Sequence, residues 1–102
     1  MVTVADLGVK REDLEALCRR WGVAKLQLFG SRARGEARPD SDVDLMVTFL
    51  SDRTPGLWKF VTMKDDFEAL FGRPVDLIVE GTVSNPYRKA SIDRDLAVVY
   101  AA

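Results

Sequence analysis

Three aspartates are the residues of this sequence whose type and spacing could do chemistry: Asp42, Asp44 and Asp76. Asp42 and Asp44 lie in an alternating apolar run, and residues two apart on a strand point the same way, about 6.6 Å apart. Carboxylates so placed can ligate metals about 3.5–4 Å apart, the spacing used in two-metal phosphoryl-type transfer. Asp76 lies in a similar run, so if the two strands are neighbours all three carboxylates meet on one surface.

The alternative is that each aspartate is an ordinary strand-edge or turn residue, which is a common role for this side chain. Clustering would decide between the two interpretations, because converging carboxylates repel one another and raise at least one pKa unless a cation is bound. The spacing alone leaves the clustering open.

A second candidate feature is the loop that opens with Gly30 and Ser31 directly after a predicted strand. Glycine permits a tight turn and a close approach to phosphate, while the Ser31 hydroxyl and the following amides can donate to phosphate oxygens. Arg32 is predicted to contact phosphate, whereas Arg34 and Arg38 fit a solvated loop equally well. The loop lacks the Lys-Ser/Thr pair of a P-loop, which excludes that motif.

Composition narrows the remaining chemistry. The chain has no histidine and one cysteine, Cys18, which excludes zinc clusters, disulfides and a Ser-His-Asp relay. Cys18 lies in a helical apolar stripe and is predicted to be buried. Fifteen basic and sixteen acidic residues almost balance, so charge does not favour nucleic acid. Without a membrane-length apolar stretch or a secretory signal, we expect a single cytoplasmic domain over residues 1–102.

Hydrophobic periodicity predicts the order α-β-β-α-β-α-β. The predicted elements are helices at about residues 10–21, 54–71 and 85–92 and strands at 25–29, Val43–Phe49, Val75–Val79 and 96–100. Thr54-Pro55 is predicted to cap the second helix, and Asn85-Pro86 to open the third. A helix joins the second and third strands, which favours a parallel pair. The predicted fold class is α/β (α+β), a small mixed β-sheet with helices packed mainly on one face.

The run Gly30–Gly35, a short spacer and Ser41-Asp42-Val43-Asp44 together resemble the signature of the DNA polymerase beta-like nucleotidyltransferase superfamily. Within it, the chain is similar to the minimal nucleotidyltransferases, the MntA-like antitoxin proteins of prokaryotes. The resemblance extends to Asp76 and to the tail that begins at Asn85. It implies the polymerase beta-like nucleotidyltransferase fold.

The resemblance also implies roles for individual residues. Asp42, Asp44 and Asp76 would hold two Mg²⁺ ions, with Asp76 helping to deprotonate the acceptor hydroxyl. Gly30, Ser31 and Arg32 would bind the phosphates of ATP, the implied nucleotide donor, and Ser41 would orient the turn before Asp42.

The implied partner and acceptor is a HEPN-type toxin, silenced by transfer of AMP to one of its tyrosines, because the sequence offers no room for an acceptor-binding domain. Two alternatives remain open. The protein could mask a toxin without efficient catalysis, or it could modify a small molecule or an RNA end together with another subunit. The near-neutral charge gives the RNA alternative no support.

Overall fold

The computed structural model describes residues 7–30, 32–33, 35, 42–51 and 53–102. It confirms the predicted element order. The elements are α1 (Arg11–Arg20), β1 (Val23–Phe29), β2 (Val43–Phe49), α2 (Leu57–Phe71), β3 (Val75–Val79), α3 (Pro86–Asp95) and β4 (Ala97–Ala101).

The four strands form one mixed sheet in the order β3-β2-β1-β4. β1 pairs antiparallel with both β2 and β4. β2 and β3 are parallel, as predicted, because α2 carries the chain back along the sheet between them. The two strands that carry the candidate aspartates are therefore direct neighbours.

The alternation of each strand divides the sheet into two faces. Leu28, Leu45 and Leu77 point to the main core, where Leu14 of α1 and Phe67 of α2 also pack. The opposite face carries a smaller apolar cluster of Phe29, Met46 and Ile92, the last contributed by α3. Two of the three described helices thus cover one face, and α3 covers part of the other.

Two helix boundaries differ from the prediction. α2 begins at Leu57 rather than at residue 54. Its N-cap residue is Gly56, which has no side chain to accept a capping hydrogen bond. The packing that stabilises α2 begins with half-buried Phe60, so helical geometry at Thr54 would gain no core contact. α3 runs to Asp95, three residues beyond the prediction, and the Asn85 side chain caps it by accepting from two backbone N–H groups.

The predicted burial of Cys18 is confirmed. Met63 and Phe67 of α2 likewise have no exposed surface. No helix in the described part of the chain combines the length and hydropathy needed to cross a bilayer.

Candidate active site

The parallel register places Asp44 of β2 directly beside Asp76 of β3. Neighbouring strands lie about 4.8 Å apart, so the two carboxyl groups project from one edge of one sheet face. That face is the one covered by α3, because Val43 and Leu45, on either side of Asp44, point into the main core. The register thus brings together two of the three candidate aspartates, a point that the spacing in the sequence left open.

The turn at Gly30 lies against Asp44. Phe29, the last residue of β1, pairs with Asp44. Gly30 then takes a φ of +75°, which favours glycine. A Cβ atom at Gly30 would overlap the Oδ2 atom of Asp44 and lie 3.2 Å from its Cγ atom. The glycine is therefore required twice, by its backbone conformation and by the carboxylate beside it.

Asp42 and Arg32 lie at the same end of β2. Asp42 immediately precedes β2 and is exposed. The Nε atom of Arg32 donates to the Asp42 backbone carbonyl over 3.3 Å. Arg32 is thus held near the aspartates, as its predicted phosphate contact requires. Ser31 and Ser41, the other predicted nucleotide-binding residues, lie outside the described residues.

Arg88 of α3 faces the aspartate pair. Its Nη2 atom lies 3.7 Å from the Oδ2 atom of Asp76, and the two side chains are 56% and 51% exposed. Arg88 is one helical turn from Ile92, the buried residue of α3, so packing of Ile92 on Phe29 and Met46 turns Arg88 towards β2 and β3. Sequence alone does not distinguish this position of Arg88 from a solvated helix face. The four-residue spacing from Ile92 was the signal that could have identified it.

The neighbouring carboxylates act on the ionisation of Asp44. Burial is the largest cause that raises the pKa of Asp44 above its usual value, followed by the negative charges of Asp76 and Asp42. Arg88 and Arg32 act in the opposite direction. Asp44 therefore lies where acidic charge accumulates, and a cation placed there would relieve the repulsion.

The donor set suits a hard cation such as Mg²⁺, since carboxylate oxygens are its preferred protein ligands. The arrangement is not a closed cage. Within the described residues, no three acidic, cysteine or histidine side chains form a group that could hold one ion. Binding would have to draw the carboxylates together and take Asp76 away from Arg88.

Comparison with known proteins identifies the family. The model of the nucleotidyltransferase domain matches residues 10–99. A Methanocaldococcus jannaschii protein, for which protein adenylyltransferase activity is inferred, is 36% identical over 97% of this chain and 100% of its own length. The protein adenylyltransferase MntA of Thermococcus cleftensis is 41% identical over 72% of each chain.

Solved structures show the same fold. One solved structure is of a protein assigned by inference to the minimal nucleotidyltransferases. It superposes with a TM-score of 0.66 at 39% identity, covering 85% of this chain and 86% of that one. A complex of tri-AMPylated Shewanella oneidensis HEPN toxin with MNT antitoxin contains a chain with a TM-score of 0.64 at 15% identity, covering 90% of this chain and 70% of that one. Together with the paired aspartates beside the Gly30 turn, these matches show that the chain belongs to the nucleotidyltransferase family, among its minimal, MntA-like members, and is a nucleotidyltransferase.

Proposed function

We propose that this protein is a magnesium-dependent protein adenylyltransferase that moves AMP from ATP to a tyrosine hydroxyl of a HEPN-type toxin and so acts as its antitoxin. The observation that carries the proposal is the register of Asp44 with Asp76 beside the Gly30 turn. The protein adenylyltransferases among its relatives support the reaction class. The HEPN toxin complex among its structural neighbours supports the partner through the shared fold.

In the proposed reaction the tyrosine oxygen forms a bond to the α-phosphorus of ATP, and the bond from that phosphorus to the bridging oxygen breaks. Pyrophosphate leaves with the bonding electrons. The hydroxyl proton passes to a carboxylate, for which Asp76 is suited because its side chain is about half exposed.

Asp42, Asp44 and Asp76 would hold the magnesium, which supplies neutralisation of phosphate charge when bound. Gly30 lets the backbone approach the phosphates, and Arg32, held at the Asp42 carbonyl, adds positive charge beside them. Ser31 and Ser41 are assigned to nucleotide binding by the family resemblance. In this reaction the contribution of the chain is positioning and charge compensation.

Calorimetry with a non-hydrolysable ATP analogue, with and without Mg²⁺, tests the nucleotide site. We expect magnesium-dependent binding that Asp44→Asn abolishes. Asp65→Asn is the matched control, because it makes the same chemical change at an exposed position of α2, away from β2 and β3. Equal losses in the two variants, or binding that is indifferent to Mg²⁺, would contradict the proposed site.

Transfer itself is tested by incubating the protein with ATP labelled at the α-phosphate and the HEPN-type toxin of the host organism. Label should appear on the toxin and map to a tyrosine. Toxin inhibition without label, equally strong with Asp44→Asn, would instead establish the masking alternative. Label on a co-purified RNA end or small molecule would establish the third.

A further inference from the structure

The helix α3 places one cation over the aspartate pair, because its turn matches the repeat of the strands beneath it. Ile92 packs in one cluster with Met46 of β2, and half-buried Ile78, the neighbour of Met46 on β3, packs against the same cluster. The aspartate pair forms the next row of that sheet face, two residues back along each strand and about 6.6 Å away. Four residues of a helix span about 6 Å, so Arg88 lies over the aspartates while Ile92 lies over the apolar row.

The contact between Arg88 and Asp76 is loose. The Nη2 atom of Arg88 is 3.7 Å from the Oδ2 atom of Asp76, which is beyond hydrogen-bonding distance, and more than half of each side chain is exposed. An exposed ion pair of this kind contributes little to stability. α3 is held instead by the buried Ile92 and by Asn85, whose side chain caps its first turn. Arg88 can therefore leave Asp76 without disturbing the packing of α3.

The charge of Arg88 acts on the second aspartate as well. Burial and then the charges of Asp76 and Asp42 raise the pKa of Asp44, and Arg88 is the larger of the two cationic influences that oppose them. The other is Arg32. Arg88 is thus placed near both of the carboxylates that the proposed function assigns to magnesium.

A magnesium ion at these carboxylates would deprive Arg88 of its partner. The two cations repel each other at short range, and the carboxylate oxygens become ligands of the metal. Oxygen ligands of one Mg²⁺ ion lie within about 4 Å of each other, because each is about 2.1 Å from the ion. A phosphate oxygen that shares an ion with Asp76 would thus be about as close to that carboxylate as the guanidinium group is in this structure. Phosphate is therefore the natural new partner, and the planar fork of arginine matches it.

Other groups in the first turn of α3 are already engaged. The backbone amides of Tyr87 and Arg88 donate to the Asn85 side chain over 2.9 and 3.2 Å, and that of Lys89 donates to the Asn85 carbonyl. The side chain of Lys89 lies 2.9 Å from Asp93 of the same helix. α3 therefore offers the side chain of Arg88, rather than its own N-terminus, to a phosphate.

We propose that Arg88 is a phosphate-binding residue that changes partners: it neutralises Asp76 while the site is free of metal and nucleotide, and it binds the phosphates once magnesium and ATP are present. This inference rests on the proposed function for the use of a magnesium-bound triphosphate, and it is independent of the acceptor. The exchange releases Asp76 to the metal and keeps Arg88 paired with an anion in both states.

Calorimetry on the full chain tests the exchange with two ligands, Mg²⁺ alone and a non-hydrolysable ATP analogue at saturating Mg²⁺. Arg88→Gln should bind Mg²⁺ alone about 1.5- to 5-fold more tightly, because the competing cation is gone. The same variant should bind the analogue about 10- to 100-fold more weakly, because a charge-assisted hydrogen bond to phosphate is lost. Arg88→Lys should bind the analogue with an affinity between these two forms, since an ammonium group keeps the charge and loses the fork.

Lys89→Gln is the matched control. It removes one positive charge from the adjacent residue, whose partner is Asp93, and should leave both affinities unchanged. Tighter binding of both ligands by Arg88→Gln would make Arg88 a counterion only and overturn the inference, as would an unchanged affinity for the analogue. A loss of both affinities in Arg88→Gln, or an equal loss of analogue affinity in Lys89→Gln, would overturn it as well.

The proposed function is judged separately from this inference. Opposite changes in the two affinities of Arg88→Gln, with no label transferred to the toxin by the parent, would uphold the role of Arg88 and overturn the proposed acceptor. Label transfer by the parent, with undiminished affinity of Arg88→Gln for the analogue, would overturn the role of Arg88 alone. Failure of the parent to bind the analogue would overturn the nucleotide site and this inference together.

Discussion

Replacement of Gly30 by alanine tests whether the turn and the aspartate form one unit. Gly30 has a φ of +75°, where an L-residue costs about 1–2 kcal/mol. The added Cβ also overlaps the Asp44 carboxylate. That carboxylate must then rotate away from its preferred geometry, at a further cost of about 0.5–1.5 kcal/mol. We expect Gly30→Ala to lower the free energy of unfolding by about 1.5–3.5 kcal/mol.

Gly72→Ala is the matched control. Gly72 follows α2 with a φ of +68°, and a Cβ there would meet nothing within 4 Å. It should therefore show the backbone cost alone, about 1–2 kcal/mol. The excess loss in Gly30→Ala measures the steric conflict with Asp44.

Urea unfolding completes a double-mutant cycle between Gly30 and Asp44. The cycle needs Gly30→Ala, Asp44→Ala and the Gly30→Ala/Asp44→Ala double variant, and Gly72→Ala is measured beside them. The double variant should recover the excess loss, because the side chain that conflicts with the new Cβ atom is gone. Gly30→Ala should also lose affinity for the magnesium–ATP analogue, while Gly72→Ala keeps it. Equal destabilisation by the two alanine variants, with no coupling to Asp44, would refute the geometry inferred for the site.

Three other predictions concern charge and protonation. Because the folded state raises the pKa of Asp44, ionisation of this one group lowers the stability of the metal-free fold as pH rises above about 4. Asp44→Asn should therefore melt at a higher temperature than the parent at pH 7 and at the same temperature at pH 3. A lower melting temperature of Asp44→Asn at pH 7 would contradict this. Arg88→Gln removes the cation beside Asp76, and an exposed ion pair of this kind is worth about 0.2–1 kcal/mol. The affinity of the nucleotide-free protein for Mg²⁺, measured by calorimetry, should therefore rise about 1.5- to 5-fold. Lys89→Gln is the control and should leave this affinity unchanged. Burial raises the pKa of Cys18 from 9.0 to about 12, so above pH 9 the unfolded chain releases its thiol proton while the folded chain keeps it. The free energy of unfolding, measured in urea, should therefore fall above pH 9. Cys18→Ala should remove this fall.

The sequence by itself determined the elements and the direction of their side chains. A strand alternates with period two, so the apolar residues of Val43–Phe49 identified the core side and placed Asp42, Asp44 and Met46 on the other. Asn85-Pro86 marked the start of the third helix, where the Asn85 side chain caps the helix by local hydrogen bonds. The combined Gly30-Ser31 and Ser41-Asp42-Val43-Asp44 spacing was sufficient to indicate the family, whose domain model matches residues 10–99.

Tertiary structure decided what depends on contacts distant in sequence. Only the parallel pairing of β2 with β3 placed Asp76 beside Asp44. Only the packing of Ile92 turned Arg88 towards them. The Thr54-Pro55 signal for a helix start was overridden because core contacts begin later, at Phe60. The exposure of Trp58 is likewise visible only in the folded chain. Local propensities are worth tenths of a kcal/mol per residue, whereas burial of one large side chain is worth about 1.5–3 kcal/mol, so packing sets the final positions.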